Sequence, residues 1–246
     1  MRTAGLLIAF AGLLALASGA ACSSGSTPVA ASSDDGGGTG NELNPDGVPY
    51  PDAPSGGYGH TARSGSTPGS VIQNFKFQGY VNGDDSTPQM TTISLADYYD
   101  PCNKRLKILH LSVAAVWCVP CGDETDAVVA DLASSSSTLN TNKVVFLQAL
   151  DEGPTAGVPA TQSDLQFWIM KHSSNFTEML DPELANLSGF FPAAEVPWNC
   201  DIDPRTMEIL DSSEGWNGSV SDELQPALAA LPATPSYPIP PSAACN

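Results

Sequence analysis

Basic residues are scarce in this chain, which has nine Lys and Arg against 27 Asp and Glu and a formal net charge of −18 at pH 7. An acidic surface of this kind repels phosphate groups, so we expect no nucleic-acid partner. Binding to anionic lipid through a basic patch is disfavoured for the same reason. The charge leaves the fold open, because net charge bears on partners and solubility rather than on architecture.

Cysteine and histidine are also sparse, which limits the kinds of site that the chain can form. Only one pair among the six cysteines, Cys118 and Cys121, is close in sequence. Disulfide scaffolds are usually shorter chains with more cysteine, and a zinc ribbon needs a second CxxC that is missing here. The histidines, His60, His110 and His172, have no metal-ligand spacing. We therefore predict neither a metal site nor a cofactor.

The N-terminal apolar run, Ala4–Leu16, is shorter than the about 20 residues that a membrane-spanning helix needs. It follows a short basic start and precedes small residues, which predicts a secretory signal peptide over residues 1–21 and a periplasmic or cell-envelope location. Residues 16–22 resemble a bacterial lipobox, which implies lipidation of Cys22 and anchoring to the membrane. Plain cleavage near Ala21 and an uncleaved anchor are the alternatives.

The rest of the chain divides by composition into three parts. Residues 22–68 are rich in Ser, Gly, Thr, Pro and Asp, a composition that buries too little apolar surface to fold, and they are predicted to be a flexible linker. Residues 232–246 contain five prolines and are predicted to be an irregular tail. Residues 69–231 between them are predicted to form the folded domain.

Within this domain, apolar runs and periodicities predict a first strand and then, from the central strand onward, the order strand, helix, strand, helix, strand, strand, helix, which is typical of an α/β domain. The central strand is almost wholly apolar, as expected for a strand buried on both faces. The predicted strands are residues 71–80, 106–115, 143–150, 197–202 and 207–210, and the predicted helices are residues 118–133, the segment around 165–172, and 220–231.

The segment Trp117-Cys118-Val119-Pro120-Cys121 follows the central strand and opens the first predicted helix. A cysteine at a helix N-terminus faces unpaired backbone N–H groups and the positive end of the helix dipole, and both favour the thiolate. Cys121, one turn further on, can attack a mixed disulfide formed by Cys118. Pro120 is tolerated in the first helical turn. The pattern therefore predicts a redox-active pair rather than an inert disulfide or half of a metal site.

Together with Glu124, this segment resembles the WCxxCxxE signature of TlpA/ResA-type thiol–disulfide oxidoreductases, members of the thioredoxin superfamily. The resemblance extends from about Ser70 to Leu231 and includes residues 181–185, 195–197 and 201–204. It implies a thioredoxin-like fold, an α/β architecture with a central mixed sheet flanked by helices and an N-terminal strand extension. The extension corresponds to a strand pair between Asn74 and Leu95.

The resemblance also implies roles for four residues. Pro197 matches the cis-proline of thioredoxin folds, and the backbone of Val196 would receive an extended substrate segment beside the reactive pair. Glu124 matches a buried acid that takes the proton of the second cysteine; its alternative is an exposed helix acid. Trp117 matches the aromatic residue flanking the first cysteine, or else belongs to surface packing. The segment Trp198-Asn199-Cys200 departs from the Thr-rich family pattern without removing any reacting atom.

Three cysteines are assigned neither to the redox-active pair nor to lipidation, namely Cys102, Cys200 and Cys245. The strand after Lys104 and the strand holding Cys200 would be antiparallel neighbours in a thioredoxin-like sheet, so a Cys102–Cys200 disulfide is one option. A Cys102–Cys245 disulfide is another, and a buried free Cys200 is the third.

The sequence predicts an exported thiol–disulfide oxidoreductase acting on protein disulfides. Val119-Pro120 lacks the histidine of strongly oxidising CPHC centres, which favours a reductase over a disulfide-donating oxidase. A reductase needs electrons, and the resemblance implies a membrane-borne dithiol donor. The alternative that is not an enzyme is a non-catalytic, thioredoxin-like binding lipoprotein.

Overall fold

The computed structural model describes residues 43–51, 68–189, 195–231 and Cys245. The predicted signal peptide, Cys22, most of the predicted linker and most of the predicted tail lie outside these residues, so their assignments stay predictions. No helix in the described ranges is both long and apolar enough to span a membrane.

One mixed sheet of seven strands forms the centre of the described structure. Its order is β2-β1-β5-β4-β3-β6-β7, with β5, β4 and β3 parallel and the remaining pairs antiparallel. The strands are β1 Lys76–Tyr80, β2 Thr91–Ser94, β3 Ile108–Ala115, β4 Val144–Glu152, β5 Thr177–Leu180, β6 Trp198–Asp203 and β7 Glu208–Glu214.

Three α-helices lie between strands and a fourth follows β7, and residues from all four pack on one face of the sheet. Side chains of Ser137, Thr161 and Ser219 cap the N-termini of the last three helices, which defines where each begins. The helices are α1 Val119–Leu132, α2 Thr138–Thr141, α3 Gln162–His172 and α4 Val220–Ala230.

The arrangement confirms the predicted thioredoxin-like fold. Helix α1 follows the central strand β3, the parallel strands are joined through helices, and β6 and β7 close one edge as an antiparallel pair. The hairpin β1–β2 adds the expected N-terminal extension at the other edge. The predicted antiparallel pairing of the strand after Lys104 with the strand holding Cys200 is also confirmed, because Leu111 on β3 pairs with Cys200 on β6.

The central strand is buried along its whole length, and its alternation assigns side chains to the two faces. Leu109, Leu111 and Val113 belong to the core on the face away from the helices. The alternate residues face the helices, where His110 stacks on Phe146. Polar residues on the helix-facing side are therefore placed next to α1.

Residues 43–51 correct the prediction that all of 22–68 is a flexible linker. Val48 and Tyr50 are buried in the core on the face away from the helices, and the Tyr50 hydroxyl donates to Ile72 O at 2.8 Å. The Asn44 side chain accepts from Val48 N at 2.7 Å and donates to Tyr99 O at 2.9 Å. The segment packs because it covers apolar surface that the sheet would otherwise expose.

Two further features differ from, or decide between, the sequence-based expectations. Strand β5 was not predicted, although it pairs with both β1 and β4. Among the cysteine alternatives, the structure has a Cys102–Cys245 disulfide and a buried free Cys200. The Cys102–Cys200 alternative is wrong because the Cys102 sulfur is bonded to Cys245, in the predicted tail.

Candidate redox site

Cys118 and Cys121 form a disulfide at the N-terminus of α1. Cys118 is the N-cap residue, and the backbone N–H of Cys121 points at its sulfur at 3.1 Å. Cys118 is 4% exposed and Cys121 is fully buried. An incoming thiol or disulfide therefore meets Cys118 first, and the helix N–H groups stabilise negative charge on its sulfur once the pair is reduced.

The loop before β6 completes the surroundings of Cys118. The Val196–Pro197 peptide bond is cis. Val196 O lies 3.4 Å from Cys118 Sγ. An extended segment that pairs with the Val196 backbone would therefore lie next to the reactive sulfur.

Trp117 is held in a defined orientation beside the reactive pair. It is 44% exposed, and its indole N–H donates to Glu152 Oε2 at 2.5 Å. Val119, on the other side of Cys118, is 72% exposed. Two exposed apolar side chains thus flank a nearly buried sulfur, an arrangement suited to contact with another protein.

Glu124 lies on α1, three residues after Cys121, and is only 1% exposed. Ser112 Oγ donates to its Oε2 at 3.0 Å, and Asn199 Nδ2 donates to its Oε1 at 2.7 Å. Burial raises the pKa of Glu124 to about 7, although His110 and these two donors act in the opposite direction. An acid with this pKa can accept or donate a proton near neutral pH.

His110 and Asp201 extend this network behind Glu124. His110 Nδ1 is 2.8 Å from Asp201 Oδ1, and its Nε2 is 3.1 Å from Asn199 Oδ1. Burial alone would lower the pKa of His110, but the neighbouring Asp201 carboxylate outweighs burial and raises it. Asn199 therefore accepts from an imidazolium through its carbonyl and donates to Glu124 through its amide.

Sequence reasoning missed these supporting residues. In the sequence, His110 stands out only as a histidine without metal-ligand spacing, and Asn199 only as part of a departure from the family pattern. The alternation along β3 places His110 and Ser112 on one face and was a usable signal. The pairing of Ser112 with Asn199 across β3 and β6 could not be derived from the sequence without the register.

A second buried network fixes α1 on the sheet. Thr125 Oγ1 donates to Cys121 O at 2.8 Å and also contacts Gln148 Oε1 at 3.0 Å. The Trp168 indole N–H donates to the same Gln148 oxygen at 2.9 Å. Gly122 leaves room for His172, whose Cε1 would lie 3.0 Å from a Cβ at that position. These contacts hold the first turns of the helix, and hence both cysteines, in place.

Most of the predicted site residues meet at one end of the sheet. Cys118, Cys121 and Val196 lie together, Trp117 flanks them, and Pro197 follows Val196 through a cis bond. Glu124 is buried within the same helix, which excludes the alternative of an exposed helix acid. Cys22 lies outside the described residues. Among those described, no group of three or more His, Cys, Asp or Glu side chains is placed to hold a metal ion.

A scan against protein-family models finds no match, and a search of curated proteins finds none. Several solved structures are similar to about two thirds of this chain. A candidate thiol:disulfide interchange protein DsbE from Chlorobium tepidum is 17% identical, with 68% of this chain and 99% of that chain covered and a TM-score of 0.49. A thioredoxin-family thiol:disulfide interchange protein from Chlorobium tepidum TLS is 16% identical, with 70% of this chain and 99% of that chain covered and a TM-score of 0.46.

A secreted disulfide oxidoreductase of Mycobacterium tuberculosis, homologous to DsbE of E. coli, is 15% identical, with 64% of this chain and 96% of that chain covered and a TM-score of 0.43. The fold of this chain is established by its own strand order.

Proposed function

We propose that this protein is an exported thiol–disulfide oxidoreductase that reduces disulfides of other exported proteins. The observation that carries the proposal is the Cys118–Cys121 disulfide at the N-terminus of α1, with Val196 O 3.4 Å from the outer sulfur. This places a nucleophile that favours the thiolate next to a backbone edge that can receive a substrate strand.

The reaction starts from the reduced pair. The Cys118 thiolate attacks one sulfur of a substrate disulfide, forms a mixed disulfide and releases the other substrate sulfur as a thiolate, which takes up a proton. The Cys121 thiolate then attacks Cys118 Sγ, which restores the Cys118–Cys121 disulfide and releases the second substrate thiolate. Two electrons pass from the protein to the substrate in each cycle.

Glu124 supplies a proton acceptor for the second step. Cys121 is fully buried, so its thiol needs a base inside the protein before it can attack. Glu124 is one turn away on the same helix, is held by Ser112 and Asn199, and has a pKa near that of a useful base at neutral pH. We assign it the role of taking the Cys121 proton.

Electron flow from this protein to its substrate follows from the residues between the cysteines in this proposal. These two residues help to tune the reduction potential, and Val119-Pro120 lacks the histidine of strongly oxidising CPHC centres, which favours a reductase. A reductase is oxidised in every cycle and needs re-reduction by a dithiol, for which we propose a membrane-borne donor. Lipidation of Cys22 would hold the protein at the same membrane.

A redox titration of the full chain tests the proposal. The protein is equilibrated in glutathione buffers, free thiols are alkylated and counted by mass, and Cys118→Ser is the control. We expect a reversible two-electron couple that is lost in Cys118→Ser, whether or not the Cys102–Cys245 pair also reacts. A potential near about −270 mV supports a reductase and one near about −120 mV supports an oxidase. If the native pair never exchanges, the enzyme proposal fails and the binding-lipoprotein alternative replaces it.

A further inference from the structure

His110 lies behind Glu124 on the central strand and is 2% exposed. Both of its ring nitrogens face oxygen atoms that can only accept a hydrogen bond, Asp201 Oδ1 at 2.8 Å and Asn199 Oδ1 at 3.1 Å. An imidazole with an acceptor at each nitrogen carries a proton on both and is positively charged. Burial lowers the pKa of His110, but the Asp201 carboxylate outweighs burial and raises it to about 9. The ring is therefore an imidazolium at neutral pH.

The charge on His110 fixes the orientation of the Asn199 side chain. An amide group has an acceptor oxygen on one side and a donor nitrogen on the other. Because Asn199 Oδ1 accepts from His110, its Nδ2 is turned towards Glu124, where it donates to Oε1 at 2.7 Å. Asn199 is 2% exposed, so water has little access to either end of the amide. The positive charge of the histidine is thus relayed as a hydrogen-bond donor that points at the buried acid.

The donor from Asn199 favours the ionised form of Glu124. Ser112 Oγ donates to the second carboxylate oxygen at 3.0 Å, so both oxygens have a partner. Burial raises the pKa of Glu124 to about 7, while His110 and the two donors act against burial. Without these opposing contributions, a fully buried carboxyl group stays protonated above neutral pH. It could not then take a proton from Cys121, one turn earlier on the same helix.

Acids surround this network on the neighbouring elements. Glu223 on α4 is 9% exposed, and its charge acts to raise the pKa of Glu124. Asp201 lies on β6 beside His110, and Asp211 is its partner in the pairing of β6 with β7. His110 is thus the positive charge that opposes both burial and Glu223 at the Glu124 carboxylate.

We propose that His110 and Asp201 are positioning residues of the redox reaction. Through Asn199, they keep Glu124 in the ionised form that takes the proton of Cys121. The inference rests on the proposed function and adds to it the residues that make its buried base effective. In the resolving step one proton passes from the Cys121 thiol to the Glu124 carboxylate, and His110 keeps both of its own protons.

Three consecutive residues of β6 provide the test and its control. Asp201→Asn keeps the shape of the side chain but removes the negative charge that keeps His110 protonated. Asn199→Leu removes the donor to Glu124 and leaves the histidine and its carboxylate partner in place. Cys200→Ala is the matched control, because Cys200 is buried between them on the same strand and packs on the opposite face of the sheet.

The first measurement is the rate of protein-disulfide reduction by the reduced full-length protein between pH 5.5 and 9. We expect the midpoint of the rise with pH to move upward by about one unit in Asp201→Asn and Asn199→Leu, so that both react roughly fivefold more slowly than wild type at pH 7. The difference should shrink towards pH 9, where Glu124 ionises in both variants. Cys200→Ala should follow wild type.

A Glu124→Gln background separates the positioning role from a structural one. Neither Asp201→Asn nor Asn199→Leu should slow this background further, because the base that they support is absent. A loss of rate by the same factor at every pH, or an equal loss in the Glu124→Gln background, would overturn the inference and leave the proposed function intact. If Asp201→Asn does not fold, Asn199→Leu alone decides the outcome.

A second measurement does not depend on turnover. The ionisation of Glu124 is followed by carbon-13 NMR of its carboxyl group in the oxidised full-length protein, with Glu124→Gln identifying the resonance. We expect a titration midpoint near pH 7 in wild type and about one unit higher in Asp201→Asn and Asn199→Leu. A wild-type midpoint in Asn199→Leu, or an equal shift in Cys200→Ala, would overturn the inference. If the cysteine pair of wild type never exchanges, the proposed function fails, and this titration still decides whether the network controls the charge of Glu124.

Discussion

Glu124 and Glu178 are both fully buried acids, but their surroundings differ. Glu124 accepts hydrogen bonds from Ser112 and Asn199 and lies near a protonated His110. Neither carboxyl oxygen of Glu178, on β5, has a close hydrogen-bond partner in the described part of the chain. Glu124 is therefore suited to proton exchange. Burial of an ionised Glu178 is unfavourable, because few hydrogen bonds offset the loss of its hydration.

Replacing Glu124 with Gln should change how exchange depends on pH. The pKa of Glu124 is about 7, so its carboxylate form, which can take the Cys121 proton, increases as pH rises from 6 to 8. We expect Glu124→Gln to lose this rise and to react roughly 10²-fold more slowly at pH 8. The measurement is the rate of protein-disulfide reduction between pH 5.5 and 9, with Asp123→Asn as control. A Glu124→Gln profile that follows wild type would exclude the assigned role.

Replacing Glu178 with Gln should stabilise the protein at alkaline pH. Burial raises the pKa of Glu178 to about 8, so between pH 5 and 8 the folded protein holds a proton that the unfolded chain has lost. Folding stability therefore falls as pH rises through this window, by roughly 3 kcal/mol from this group. Urea unfolding should show Glu178→Gln close to wild type at pH 5 and more stable at pH 8. A constant difference at both pH values would contradict the pKa assignment.

At the scale of elements, Gly79 determines how closely β1 approaches β5. A Cβ at this position would lie 2.2 Å from Glu178 O and 2.7 Å from Met179 Cα, both backbone atoms. We expect Gly79→Ala to lower the free energy of unfolding by about 3 kcal/mol, the upper end of overpacking costs. Gly189→Ala is the matched control, because a Cβ there meets nothing within 4 Å. Equal urea midpoints for the two variants would show that the strands can separate freely.

The elements that position the cysteines could be predicted from the sequence because their signals are local. An apolar run of strand length precedes Cys118, and Pro120 fits only the first turn of a helix. Strand β5 could not be predicted in the same way. It has four residues, and Glu178 is buried at a position where alternation would place an apolar side chain. Its pairing with β1 and β4 overrides the weak local pattern.

At the scale of the whole molecule, composition misassigned the segment that carries Val48 and Tyr50. Leu43-Asn-Pro-Asp-Gly-Val-Pro-Tyr50 has the turn residues of a linker and few apolar side chains. Its burial depends on apolar surface that the completed sheet supplies, on the face without α-helices. A sequence window contains no information about that surface, so such a segment is recognised only once the fold is known.

The Cys102–Cys245 disulfide closes a loop with a sequence separation of 143 residues and should stabilise the whole described domain. A crosslink of this span restricts the unfolded chain, and native disulfides typically contribute about 2–4 kcal/mol. We expect the double variant Cys102→Ser/Cys245→Ser to have a free energy of unfolding lower by that amount, measured as a lower urea midpoint. Its Cys118–Cys121 couple should titrate as in wild type, because the two disulfides share no sulfur atom. Wild-type stability in the double variant would show that the crosslink is unnecessary, and an altered couple would show that it supports the reactive centre.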